Sequence, residues 1–162
     1  MNNSLLPEGF DRFIITHSYT FPPEDLIAIN GLASLLNSRA DAHDRQSLQT
    51  LLQYGGTDLI VVCTPDKQIV GMIMLVRELT FCHRYGHVRD LVVAPAYRHR
   101  GLGSALMAEL LFLARAHRLS RVFCDAPRDA IMKRILARHA FEDAEEISLR
   151  TRMIEPLPSS RA

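Results

Sequence analysis

Residues 90–110, DLVVAPAYRHRGLGSALMAEL, constrain the fold more than any other stretch of these 162 residues. An apolar, β-branched run meets Pro95, three basic residues follow at Arg98, His99 and Arg100, and then come Gly101 and Gly103. Leu102, Leu106, Leu110 and Leu113 recur at nearly four-residue spacing, which predicts an amphipathic helix over 101–117. A strand is therefore joined to a long helix by a short basic, glycine-containing turn.

The rest of the chain supplies partners for that unit. Residues 12–19 read as a strand, and Pro22, Pro23, Glu24 and Asp25 open a helix because proline and acids suit a first turn. Leu26, Ile29, Leu32, Ala33 and Leu36 share one face of it. A second helix runs from Asp44 through Leu48, Leu51 and Leu52 until Gly55 and Gly56 stop it. Residues 58–64 and 69–79 are apolar strands joined by the turn PDKQ, a hairpin signature. A loop holding Cys82, His83, Tyr85 and Gly86 leads to a strand over 87–94; beyond the long helix come a strand at 121–125, a helix at 129–138 and a last strand at 146–154. The order β-α-α-β-β-β-α-β-α-β predicts an α/β fold of the mixed-sheet, α+β kind, with helices on the sheet's faces. Residues 91–125 should form its parallel β-α-β unit. One domain over 1–154 and a tail over 155–162 are expected from the length.

Composition excludes several functions. A net charge of +1 and a charged fraction of 23% speak against a polyanion binder. The arginines between Arg128 and Arg138 are flanked by Asp125, Asp129, Glu142 and Asp143, so no nucleic-acid partner is expected. The apolar runs fall short of the roughly 20 residues of a membrane span. Three cysteines without C-x-x-C spacing, and no signal peptide, point to the cytoplasm. The motif CHRYGH offers Cys82, His83 and His87 to a metal, but lacks a fourth ligand and the spacing of a closed zinc site.

The first turn of a helix exposes unpaired amides and a partial positive charge, which attract anionic oxygens. Glycines let such oxygens approach the backbone, and Arg98, His99 and Arg100 add charge at the same mouth. The turn is thus a cradle for a diphosphate. It lacks the Gly-Lys-Ser/Thr of an ATP loop, and Gly101, Gly103 and Ala105 do not make the G-x-G-x-x-G of a dinucleotide site.

The longer stretch LVVAPAYRHRGLGSALM resembles the acyl-CoA motif of the GNAT superfamily of N-acyltransferases: apolar strand, Pro95, Tyr97, then Arg98-x-x-Gly101-x-Gly103 and a helix. The element order resembles the GNAT fold over residues 12–154. The resemblance implies acetyl-CoA as the donor, its pantetheine arm paired with the backbone of Leu91, Val92 and Val93, and its diphosphate held by Arg98, His99, Arg100, Gly101, Leu102, Gly103 and Ser104. It implies direct attack by a primary amine, of a small molecule or a protein, without a covalent enzyme intermediate, and often a homodimer. An alkyl amine must lose a proton, and Asp90 matches the acidic position that several family members carry on this strand. Strand alternation places Asp90 and Val92 on one face and Arg89, Leu91 and Val93 on the other, leaving open which faces the cleft. Glu78 is a second candidate base.

The final helix departs from the family pattern. Aligned on Phe141, Leu136 stands where the usual proton-donating tyrosine would be, Ala140 at the glycine, Met132 at the alanine and Asp129 at the asparagine. A thiolate can instead be protonated by solvent. Cys124 and His139 lie close by in sequence, with blander readings as a buried strand residue and a helix C-terminal cation. The loop RADAHDRQ falls where the family shapes its acceptor pocket, so Asp41, His43 and Asp44 are candidates for recognising a cationic amine. The alternative to an enzyme is a catalytically degenerate GNAT-fold module that only binds coenzyme A.

Overall fold

The computed structural model describes residues 6–15, 19–39, 41–53, 56–125 and 130–142. Five strands form one sheet in the order β1 (Asp11–Ile15), β2 (Thr57–Cys63), β3 (Ile69–Leu79), β4 (Arg84–Val93) and β5 (Arg121–Cys124). The first four pair antiparallel and β5 lies parallel to β4. Helices α1 (Pro23–Leu36) and α2 (Arg45–Gln53) connect β1 to β2; α3 (Leu102–Ala116) crosses from β4 to β5, and α4 (Ala130–Arg138) follows. The element order agrees with the one read from the sequence as far as α4. The strand expected at 146–154 and the tail lie outside the described residues, as do Asp129 and the junction at 54–55.

Alternation divides the apolar residues of the sheet between two cores. Leu59, Val61 and Cys63 of β2 pack with Ile29 and Leu32 of α1 and Leu48 and Leu52 of α2. Ile60 and Val62 face the other way and meet Leu102, Leu106, Met107 and Leu110 of α3, with Leu136 of α4. Both layers depend on a central sheet buried on its two faces, so β2 and β3 read as nearly unbroken apolar runs.

Pro22 caps α1 with Pro23 in its first turn, as expected. Leu36, placed by its spacing on the buried face, is instead 45% exposed at the helix end. Two strand boundaries also differ. β1 is described only to Ile15, and Tyr19 is no longer strand. β4 begins at Arg84, so Tyr85 and Gly86 belong to the sheet rather than to a loop. Gly86 is there for space: a Cβ would lie 2.8 Å from both Leu75 Cδ1 and Leu119 Cδ1. A residue that reads as a turn signal is a packing requirement.

Candidate active site

The candidate site opens at a break in the sheet. β4 and β5 pair from Tyr85↔Arg121 to Val88↔Cys124, after which β5 ends and β4 continues to Val93. On its other side β4 shifts register against β3: Met72 faces Val92, and Met74 faces Arg89, so two residues of β4 oppose one of β3. Asp90 carries φ 52°, in the left-handed region, within this bulge. The bulge resolves the face assignment and corrects the simple alternation. Val88, Leu91 and Val93 pack toward the α3 core, Val92 toward the α1 core, and Asp90 is one of the two residues that absorb the phase change.

The strand ends open onto a cleft of about 650 Å³. Asp90, Leu91, Val92 and Val93 line it from β4, Cys124 and Asp125 from β5, and Leu35 and Leu36 from the end of α1. Arg98, His99, Gly101, Leu102, Gly103 and Ser104 line it from the turn and α3. Of the residues expected to hold the donor, Arg100 alone is not on its wall; its Cζ sits 5.5 Å from the Tyr97 ring centroid. A second hollow, about 270 Å³ beside Phe10 and Pro65, has only Glu8 and Asp11 as titratable lining.

The turn into α3 has the form that anion binding requires. Pro95–Tyr97 make one 3₁₀ turn, His99 has φ 62°, and Gly101 caps the helix at φ 81°. Ala105 N donates to Gly101 O, so the amides of Leu102, Gly103 and Ser104 precede the helical ladder. Arg98 Nε donates to Val93 O at 2.9 Å and braces the turn against the strand end. Tyr97 packs edge-on against Phe10, a packing role. The two glycines differ in purpose. Gly101 is needed for its dihedral, since a Cβ there would meet nothing within 4 Å; at Gly103 a Cβ would lie 3.1 Å from Ile135 Cδ1, so this glycine lets α4 close on α3. A diphosphate fits such a mouth, with Arg98, His99, Arg134 and Arg138 on the cleft wall to balance its charge.

Asp90 opens onto the cleft, yet loss of water around its carboxyl raises it above the ordinary carboxylate range, against the opposing pull of Arg89 and His43. Arg89 is itself engaged, its Nη1 donating to Asp125 Oδ2. Glu78, the second candidate base, is absent from the cleft wall; its Oε2 lies 3.2 Å from His87 Nε2. Within CHRYGH, His83 stacks on Tyr85 and His87 on Phe123, both histidines joining one run of ring contacts.

On the α4 side, Leu136 is buried in the core rather than facing the cleft, so the position of the family's tyrosine carries no acid. His139 is not the exposed helix-end cation its position suggests. Its Nε2 lies 2.9 Å from Ser104 Oγ, and burial lowers its pKa, which favours the neutral ring. Cys124 lines the cleft, but burial raises its thiol, making it a weaker acid than an ordinary thiol. Ala140 takes φ 56°, the conformation for which glycine is suited at that place.

The loop after α1 is built, not slack. Asn30 Nδ2 donates to His43 O and His43 N donates to Asn30 Oδ1, both at 2.8 Å. Asp44 caps α2, with Ser47 N donating to its Oδ1 at 2.7 Å, and those bonds hold its carboxyl below the ordinary range. Asp44 is therefore a structural cap rather than a free contact for an amine. A D-x-x-S pattern at a helix start was the available signal for it.

A family model described as the acetyltransferase (GNAT) family matches residues 29–141. A glucosamine 6-phosphate N-acetyltransferase of Trypanosoma brucei brucei is 33% identical over 70 residues, 41% of this chain and 48% of that protein. The chain thus spans about half the length of this curated relative. Among solved structures, an acetyltransferase of Trypanosoma brucei superposes with TM-score 0.69 at 24% identity, covering 89% of this chain and 99% of the other. An aminoglycoside acetyltransferase from an uncultured soil metagenomic sample, solved with trehalose, gives 0.70 at 16% identity, over 91% and 97%. At these identities the structural likeness establishes the fold.

Proposed function

Because the chain belongs to the GNAT acetyltransferase family, we propose that it transfers the acetyl group of acetyl-CoA to a primary amine, with Asp90 as the base. The observation that carries the reading is the bulge at Asp90 beside the β4–β5 break. The end of β5 leaves the edge of β4 at Leu91–Val93 open, among the described residues, to pair with an extended pantetheine arm, and the bulge sets a carboxylate at the same place.

The residues divide the work. The amides at Gly101–Ser104, with Arg98, His99 and Arg100 nearby, hold the donor's diphosphate, and the backbone along Leu91, Val92 and Val93 aligns its arm. A backbone amide of that strand stabilises charge on the thioester oxygen. The amine attacks the carbonyl carbon, the C–N bond forms, the C–S bond breaks, and Asp90 takes the proton that nitrogen loses. With Leu136 buried and Cys124 a weak acid, the departing thiolate takes its proton from solvent.

Because relatives are named for glucosamine 6-phosphate and for aminoglycosides, amino sugars are the first acceptors to try, with protein amines next. We read the chain as one catalytic domain over 1–154 with a tail over 155–162, acting without nucleic acid and forming the homodimer common in its family. A cytoplasmic setting accords with three free thiols, and among the described residues no helix is long and apolar enough to cross a membrane.

The test is thiol release from acetyl-CoA with a panel of amines. Asp90→Asn should lower kcat about 10²- to 10³-fold with little change in KM for acetyl-CoA. The wild-type rate should fall as pH drops through the raised Asp90 range, and that limb should vanish in the variant. Equal kcat in both proteins removes Asp90 from the chemistry. Donor binding with no turnover of any amine would favour the non-catalytic module instead.

A further inference from the structure

We propose that His139 positions the Ser104 hydroxyl as a ligand for the donor's diphosphate, so that α3 and α4 together hold one anionic oxygen through a single serine proton. The inference rests on the reading of the cleft as the seat of acetyl-CoA. It starts from packing. Gly103 has no side chain to keep α4 off α3, where a Cβ would lie 3.1 Å from Ile135 Cδ1. The end of α4 is then fixed by its own backbone: Ala140 turns left-handed at φ 56°, Phe141 N donates to Leu136 O at 3.0 Å, and Ala140 N donates to Ala137 O at 3.2 Å. Phe141 packs against the α3 core. His139 is the residue enclosed by those bonds, and its Nε2 lies 2.9 Å from Ser104 Oγ.

Ser104 also belongs to the cleft wall. Of Leu102, Gly103 and Ser104, whose amides precede the α3 ladder, it alone carries a polar side chain. A hydroxyl has one proton to give and lone pairs with which to accept. Hydrogen bonds to an anionic oxygen are roughly twice as strong as those between neutral groups, so a bound diphosphate takes the serine's proton in preference to the imidazole. Ser104 Oγ is then left to accept, and only a protonated Nε2 can donate to it. A bare Nε2 would set two lone pairs against each other across the same 2.9 Å. Burial favours the neutral ring, which has one hydrogen, and the donor selects the nitrogen that holds it. His139 touches no donor atom in this arrangement and is a positioning residue. Arg138, the preceding residue, is on the cleft wall and adds the full charge that a neutral ring does not.

Calorimetric titration with CoA, steady-state kinetics and NMR on the full chain test this. Ser104→Ala and His139→Leu should each weaken CoA binding about tenfold, and the double variant should lose no more than Ser104→Ala alone, because the histidine acts only through the serine. His139→Gln, whose amide N–H can stand in for Nε2–H, should recover most of the affinity. KM for acetyl-CoA should rise in each weakened variant while kcat at saturating donor stays within about twofold of the wild type. Nitrogen-15 NMR of the CoA complex should show His139 protonated at Nε2, its signal assigned by its absence from His139→Gln. Wild-type CoA affinity in folded Ser104→Ala or His139→Leu, losses that add in the double variant, a His139→Gln no better than His139→Leu, or a bare Nε2 in the complex rejects the pairing; CoA binding by the wild type in the same titrations leaves the acetyl-CoA reading standing. Failure of the wild type to bind CoA overturns both.

Discussion

Tyr19 and Asp25 show how one polar contact is accommodated in the α1 core. Tyr19 Oη donates to Asp25 Oδ2, and Asp25 is the one charged residue among the buried described positions. Burial first, and the Asp25 carboxylate next, push the phenol up to about 12. The neutral phenol is the form the fold favours. Its contribution to stability is therefore whole below pH 10, the ordinary tyrosine value, and is lost as pH rises through about 12. Tyr19→Phe should cost about 1–3 kcal/mol at pH 7, because it leaves a buried carboxylate oxygen without its donor. Urea unfolding at pH 7 and pH 11 checks both points: the wild type should weaken between them and the variant should weaken less. Neither partner's role was legible in the sequence. Asp25 reads there as a helix-start acid and Tyr19 as a strand residue, since nothing local reveals that the chain folds back over the first turn. Asp90 is a parallel case. Its identity and its place on the strand could be read, but the left-handed backbone that makes it the turning point of the bulge depends on pairing with β3.

At the scale of elements, glycine misleads most where it serves packing. Gly86, Gly101 and Gly103 look alike in sequence, yet one admits Leu75 and Leu119, one supplies a dihedral and one lets two helices approach. The turn at Gly101 was legible because its requirements are local: a strand end, a left-handed cap and a leucine stripe within twenty residues. The start of β4 was not, because it depends on two neighbouring strands and on the α3–β5 connection pressing on Gly86. The distinction yields opposed outcomes for two conservative changes. Gly101→Ala should destabilise by about 1–2 kcal/mol through its backbone alone, with nothing displaced. Gly86→Ala should cost about 1–3 kcal/mol by overpacking, and truncating the obstructing side chain, Leu119→Ala, should recover part of that in the double variant. A double-mutant cycle by denaturant unfolding measures the coupling; strict additivity of Gly86→Ala and Leu119→Ala would mean the two do not touch.

At the scale of the whole molecule, the two cores share a single sheet, and the cleft is the place where that sheet stops being continuous. Beyond Val88 the edge of β4 has no sheet partner on the β5 side among the described residues, and the helix end at Gly101 adds three amides outside the α3 ladder. The open strand edge and the helix end lie along one cleft, where a donor with an extended arm and an anionic head would find amides to pair with. Ligand binding should therefore stabilise the entire fold rather than a loop, because both the strand edge and the helix end belong to elements that pack into the central sheet. At a concentration of acetyl-CoA one hundred times its Kd, mass action adds about 2.7 kcal/mol. For a chain of this size, where each kcal/mol moves Tm by about 2–4 °C, the rise should be about 5–10 °C in a single transition. Because basic side chains flank the turn, the rise should shrink as ionic strength increases and screens the diphosphate contact. Differential scanning calorimetry with and without the donor reads both effects. A Tm unmoved by millimolar acetyl-CoA, or a second transition that the ligand shifts by itself, would show that the break in the sheet is not the donor's seat.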